Sequence, residues 1–380
     1  MKKSLFLLAA ILLIATDFTC FAQWTNKNFT FGGNNRQYRV YVPAMYNASN
    51  PASLVLTLHG LGDNMTNFSG IGMNYVADTA NIIVVVPQAV SDPFLGTAWN
   101  SGAGYMGYFP NSTVNDVVFI SALIDTIQTN YSINPNRVYS CGFSMGGFMT
   151  ERLACELSNR FTAIASVAGT IGNGITNCNP QKFMPVVHFH GTADQTVTYT
   201  PGNYGLGADS LVNFWVNFDQ CNSTPVHTNL PDIAADGYTV EHFLYSGGQQ
   251  GTEVEFFKVN GAVHEWLSPA NDIFYTTEIW HFFNKHQVNP SVSLKTNEVS
   301  TGSLVYPNPA SDHITISCKD YLDAKAELYD IYGHLLHTEK LQSDNHSLML
   351  KTLGLAQGTY FLKISKNGIP VATHRIISAD

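Results

Sequence analysis

The chain has 380 residues, 45% of them hydrophobic and 12% aromatic, with 19 Lys and Arg against 28 Asp and Glu for a net charge of −9. That length exceeds one average domain and is enough for two. It holds no basic run or stripe, and residues 23–286 contain only nine Lys and Arg against eighteen Asp and Glu, which argues against nucleic acid and against highly anionic substrates such as phosphate esters.

In chain order, residues 1–22 read as a secretory signal peptide: Lys2 and Lys3 form a basic start, residues 5–15 an apolar stretch, and Ala22 a small residue before cleavage at Gln23. The apolar stretch is short for a membrane span. Lipidation at Cys20 is the alternative, but Asp17-Phe18-Thr19 is a poor lead-in for it. Residues 38–42 alternate as a half-buried strand, and the apolar runs 54–58 and 82–86 suit strands buried on both faces. Residues 114–131 carry Val117, Ile120, Leu123, Ile124 and Ile127 at helical spacing. A strand at 137–141 and a helix at 147–155 follow, then strands at 161–167 and 184–190, a helix at 209–219, a strand at 254–259 and a helix at 271–286. Strands alternating with helices predict an α/β fold over residues 23–286, a mostly parallel sheet covered by helices on both faces.

The pattern then changes. Residues 287–303 lack any period and read as a linker. Residues 304–380 hold only short strands, at 313–317, 326–329, 346–350 and 358–364, with turn residues at 330–333 and 366–368; they predict a small all-β sandwich. Export would permit disulfides. Cys178 and Cys221, in polar turn-like sequence, are the expected pair, whereas Cys141 and Cys155 read as buried thiols.

Between the strand at 137–141 and the helix at 147–155 lies Gly142-Phe143-Ser144-Met145-Gly146, a G-x-S-x-G sequence in the strand–turn–helix setting that exposes a serine on a strained elbow. A serine hydroxyl needs a base within reach, and the base an orienting carboxylate. Asp194 follows the strand at 184–190 and His264 follows the strand at 254–259, in the order this architecture requires. Turn aspartate and cap histidine are the competing readings of each alone. Oxyanion donors are expected from the backbone N–H groups of Met145 and of Leu61, in the loop after the strand at 54–58; His59 is expected to shape that loop. The aromatic residues Trp99, Tyr105 and Trp266, with Tyr108 and Phe109, are candidates to line a substrate cleft. The chemistry needs no metal or organic cofactor. A competing metal hydrolase would use His188 and His190, joined by His59 and His264, although residues two apart on a buried strand more often pack or hydrogen-bond. A non-catalytic surface binding protein on a hydrolase scaffold, or a peptidase of the same fold, are further alternatives.

Residues 29–286 resemble secreted α/β-hydrolases of the group holding feruloyl esterases, acetylxylan esterases and polyhydroxybutyrate depolymerases. The resemblance rests on Leu58-His59-Gly60, residues 115–119, 137–139, 142–147 and 161–169, His190-Gly191-Thr192-Ala193-Asp194 and His264-Glu265-Trp266. It implies a serine esterase acting on an ester that is polysaccharide-linked or part of a polyester. Relatives often continue Trp-Pro-Gly after the histidine, whereas here Trp266 precedes Leu267-Ser268-Pro269. The tail, with Val305-Tyr306-Pro307-Asn308-Pro309, residues 358–364 and Ile376-Ile377, resembles the C-terminal sorting domain of type IX secretion substrates, which implies the secretion machinery as a partner and a secreted or cell-surface location. A carbohydrate-binding sandwich is the alternative, but the tail lacks tryptophans for sugar stacking.

Overall fold

The computed structural model describes residues 22–287, 304–317, 323–330, 334–366 and 369–379. Residues 1–21 of the expected signal peptide, 288–303 of the expected linker, Cys20, Cys318 and the cores of the two predicted turns lie outside the described residues. The chain divides into two compact units, within Met1–Asn289 and Pro290–Asp380.

The first unit runs β1 (Gln23–Phe31), β2 (Asn34–Val42), β3 (Ala52–Leu58), α1 (Met65–Phe68), α2 (Met73–Ala80), β4 (Ile82–Pro87), β5 (Val90–Asp92), β6 (Gly96–Ala98) and α3 (Asp116–Asn130). It continues with β7 (Ile133–Phe143), α4 (Met145–Glu156), β8 (Ala163–Val167), β9 (Val186–Gly191), α5 (Ala208–Phe218), β10 (Val226–Asn229), β11 (Thr239–Tyr245), β12 (Val254–Asn260) and α6 (Tyr275–Lys285). Ten strands form one sheet in the order β1-β2-β4-β3-β7-β8-β9-β12-β11-β10. The central strands β4, β3, β7, β8, β9 and β12 are parallel, and an antiparallel pair flanks them at each edge. Because side chains alternate across a strand, Leu54, Leu56 and Leu58 of β3 face one apolar layer with α3, α4 and α5, while Val55 faces the other with α2 and α6. All seven residues of β3 and all six of β4 are buried, as covered parallel strands require.

In the second unit β13 (Leu304–Tyr306), β14 (His313–Ser317), β15 (Lys325–Tyr329), β16 (Leu335–Lys340), β17 (Asn345–Met349), β18 (Gly358–Lys366) and β19 (Ile369–Ser378) form two antiparallel sheets, β13-β14-β17 and β16-β15-β18-β19. Ile314, Ile316, Leu328, Leu348, Leu362 and Ile376 share one core.

The expected Cys178–Cys221 bridge is not formed. Cys178 is bonded to Cys155, at a Cα–Cα distance of 4.7 Å, and Cys221 is free. Cys155 sits in the last turn of α4, where the segment after β8 folds back over the helix end. Cys221, past the end of α5, lies instead by the carbonyl of Thr252.

Candidate active site

The tight turn from β7 to α4 puts Ser144 at φ 55°, ψ −121°, in the positive-φ region that a non-glycine residue enters only under constraint. The Ser144 N–H donates to the carbonyl of Val167 at 2.8 Å and its carbonyl accepts from Phe148 N–H at 3.0 Å. Close approach explains the flanking glycines: a Cβ at Gly142 would strike the carbonyl of Gly146, and one at Gly146 the carbonyl of Leu58.

Asp194 and His264 meet because β9 and β12 are parallel neighbours whose following loops are zipped together. Thr192 N–H donates to Val259 O at 2.9 Å, Ala193 N–H to Ala262 O at 3.0 Å, and Gly261 N–H to Thr192 Oγ1 at 2.9 Å. His264 Nδ1 lies 2.7 Å from Asp194 Oδ2, and His264 Nε2 lies 2.9 Å from Ser144 Oγ. A carboxylate only accepts, so Nδ1 carries the proton and Nε2 is free to accept from the serine hydroxyl. Asp194 Oδ1 accepts from the N–H groups of Thr196 and Val197 at 2.8 and 2.9 Å, which fixes the buried carboxylate. Phe143 stacks on the His264 ring at 4.7 Å.

Leu61 and Met145 border the same cavity, of about 310 Å³, as Ser144 and His264. Met145 opens α4, and the first N–H groups of a helix have no acceptor within it. The loop carrying Leu61 is braced by the segment that crosses it. Gly62 N–H donates to Thr97 O at 2.8 Å, and Trp99 Nε1–H donates to His59 O at 2.9 Å. His59 is fully buried; its Nε2 accepts from Ala89 N–H at 3.1 Å, and burial lowers its pKa so that the ring stays neutral. Arg36 and Asp116, ion-paired at 2.7 Å inside the fold, hold the next residue through Asn100 N–H at 2.8 Å.

The aromatic candidates are placed differently from expectation. Trp99 is fully buried and braces the Leu61 loop, its indole N–H spent on the His59 carbonyl inside the fold. Trp266 packs edge-on against Phe143 and Phe68, donates to Thr276 Oγ1 at 3.1 Å, and faces a separate apolar pocket with Tyr75 and Phe274. Tyr105 is exposed at the surface and leans on Tyr204, ring centroids 5.6 Å apart, and Tyr204 rather than Tyr105 borders the cavity. The wall beside the serine is Ala103, Phe148, Val197 and Tyr204, residues with no motif to mark them in sequence.

The His188–His190 pair is bonded internally. His188 Nε2 lies 3.1 Å from His190 Nδ1, and His190 Nε2–H donates to Val197 O at 2.8 Å. Burial lowers both pKa values, and among the described residues no group of three or more His, Cys, Asp or Glu is placed to hold a metal ion.

Residues 44–204 match the family model for phospholipases and carboxylesterases, and residues 304–379 match that for the secretion system C-terminal sorting domain. The chain is 28% identical over 284 residues to a bifunctional acetylxylan esterase/xylanase of Neocallimastix patriciarum, covering 73% of this chain and 37% of that protein. It is 28% identical over 271 residues to feruloyl esterase D of Neurospora crassa, covering 67% and 83% of the two. With a poly(3-hydroxybutyrate) depolymerase of Ralstonia pickettii it shares 28% identity over 274 residues, covering 62% of this chain and 52% of that one. The chain therefore spans less than two thirds of the first and third of these relatives.

Proposed function

Because residues 44–204 belong to the phospholipase/carboxylesterase family and residues 304–379 are a secretion system C-terminal sorting domain, we propose that this chain is an exported serine esterase that cleaves carboxylic esters through an acyl-enzyme. Residues 23–286 would carry the chemistry and residues 304–380 the sorting signal, read by type IX secretion machinery at the cell surface. The observation that supports this most is the unbroken line of hydrogen bonds from Ser144 Oγ through His264 to Asp194.

His264 Nε2 takes the hydroxyl proton as Ser144 Oγ bonds to the ester carbonyl carbon. Asp194 holds the ring in the tautomer that can accept, and stabilises the imidazolium that forms. The N–H groups of Met145 and Leu61 receive the oxyanion. His264 Nε2–H then protonates the leaving alkoxide, and water, deprotonated by the same nitrogen, releases the acid and restores Ser144. No step draws on a metal or organic cofactor.

The substrate proposed is an ester of the kind named for the relatives: feruloyl or acetyl groups on plant polysaccharide, or a polyhydroxyalkanoate. Parallel assays on methyl ferulate, acetylated xylan and polyhydroxybutyrate, with and without EDTA and a serine-directed fluorophosphonate probe, test the reading. Hydrolysis of at least one substrate, lost on probe labelling and kept in EDTA, is expected; loss in EDTA with the probe inert would favour the metal-dependent alternative.

A further inference from the structure

We infer that Asn173 is a positioning residue that fixes the apolar wall of the cavity and thereby selects substrates by the size of the group lying on that wall. The inference rests on the esterase reading and goes beyond it.

Asn173 lies between the two loops that carry the wall. On one side its Oδ1 accepts from Gly104 N–H at 2.9 Å, while its Nδ2–H donates back to Gly104 O at 3.0 Å. One amide side chain thus pairs with both polar groups of a single peptide residue, as a neighbouring strand would. On the other side Nδ2–H donates to Asn203 O at 2.6 Å, and the Asn173 backbone N–H donates to Tyr204 O at 2.9 Å. This network sets which amide atom is oxygen, since the reverse orientation would oppose donor to donor at Gly104.

The residues next to these partners are the wall itself. Ala103 precedes Gly104, and Tyr204 follows Asn203; both border the cavity, packed with Phe148 and Val197. Tyr105, on the far side of Gly104, leans on the Tyr204 ring. Backbone bonds extend the clamp: Gly174 N–H donates to Gly102 O at 2.8 Å and Leu206 N–H to Ile171 O at 3.1 Å. Gly172 lies so near Gly102 and Ala103 that a Cβ there would strike them. The far end of the segment is anchored by the Cys155–Cys178 bond to α4, the helix that begins at the elbow. Neither wall loop contributes a strand to the large sheet, so their separation is set by this clamp, to which the Asn173 amide supplies three bonds beside the backbone ones. None of its atoms borders the cavity, so it acts through Ala103 and Tyr204.

Asn173→Asp keeps the shape but removes both side-chain N–H donors, and Asn173→Ala removes all three side-chain bonds while leaving the backbone bonds in place. The experiment measures kcat/KM for both variants and the parent on p-nitrophenyl esters from acetate to octanoate and on alkyl esters of one acid from methyl to octyl, together with thermal midpoints. The expected result is that the smallest ester of the series whose varied group lies on the wall, p-nitrophenyl acetate for the acyl series or the methyl ester for the alkyl series, stays within about threefold of the parent. The large-to-small ratio in one of the two series should rise by about fivefold or more, further in Asn173→Ala than in Asn173→Asp. Ratios unchanged in both series, or every ester scaled by one factor with a fall in thermal midpoint, would overturn the inference. Failure of the parent to label at Ser144 would instead sink the esterase reading on which it rests.

Discussion

At the scale of single residues, the site is built from groups whose protonation is set by their surroundings. His59, His188 and His190 are buried and kept neutral, each spending ring nitrogens on backbone or on another ring, which leaves His264 as the imidazole that reaches the serine. Glu151, on the helix that follows the elbow, is a second case. It is fully buried, accepts from Trp215 Nε1–H at 2.9 Å, and desolvation raises its pKa from 4.5 to about 8. In the folded chain it keeps its proton across a range in which the unfolded chain has lost one, so the folded state binds more protons. Stability should therefore fall as pH rises from about 4.5 to about 8, and level off above. Glu151→Gln retains an acceptor for Trp215 without the titration. Urea midpoints at pH 5 and pH 8 are expected to differ less for the variant than for the parent, with the variant the more stable at pH 8. An equal pH response in both would show that Glu151 is ionised in the fold.

At the scale of elements, the chain holds its candidate site residues at the same end of parallel strands of one sheet rather than close in sequence, with β8 between β7 and β9. β7 delivers Ser144, β9 Asp194 and β12 His264, and the serine and the histidine are 120 positions apart. Cys155–Cys178 works at the same scale, tying the end of α4 to the segment that holds Asn173. Because it closes a loop with a sequence separation of 23, its removal should cost about 3 kcal/mol on the chain-entropy view. Cys178→Ser is expected to lower the denaturation midpoint accordingly, with kcat on p-nitrophenyl acetate nearly intact. An unchanged midpoint would mean that packing alone holds this segment.

The elements that position Ser144, Asp194 and His264 were the most legible in sequence, for a physical reason. Strands β3, β4 and β8 are buried on both faces and read as mainly apolar runs, and the G-x-S-x-G elbow is forced by backbone approaches that admit only glycine. The edge strands β1, β10 and β11 were not legible: β1 and β10 are mostly polar and largely exposed, and β11 mixes polar and apolar residues without a strict alternation. The short helix α2 begins at Gly72 without a side-chain cap and gives no start signal. Pocket aromatics were misplaced for a related reason: composition shows that Trp99 and Trp266 are large and apolar, but not on which side of a loop they point. Disulfide partners are equally a matter of folding back, so Cys155, read as a helix thiol, is the one that meets Cys178.

At the scale of the whole molecule, an α/β unit with a serine-centred cavity is joined in one chain to a small all-β unit of the sorting type. The sorting domain marks the chain for export to the cell surface or the medium. The cavity lining includes Asp63 and neither Lys nor Arg, which suits a neutral ligand better than an anionic one. All of this turns on whether Ser144 is the atom that attacks. The most direct measurement is kcat on p-nitrophenyl acetate for Ser144→Ala beside the parent, both shown to be folded by their thermal midpoints. Loss of the nucleophile is expected to lower kcat by roughly four to six orders of magnitude. A folded Ser144→Ala chain that still turns over the ester at near the parent rate would contradict the account.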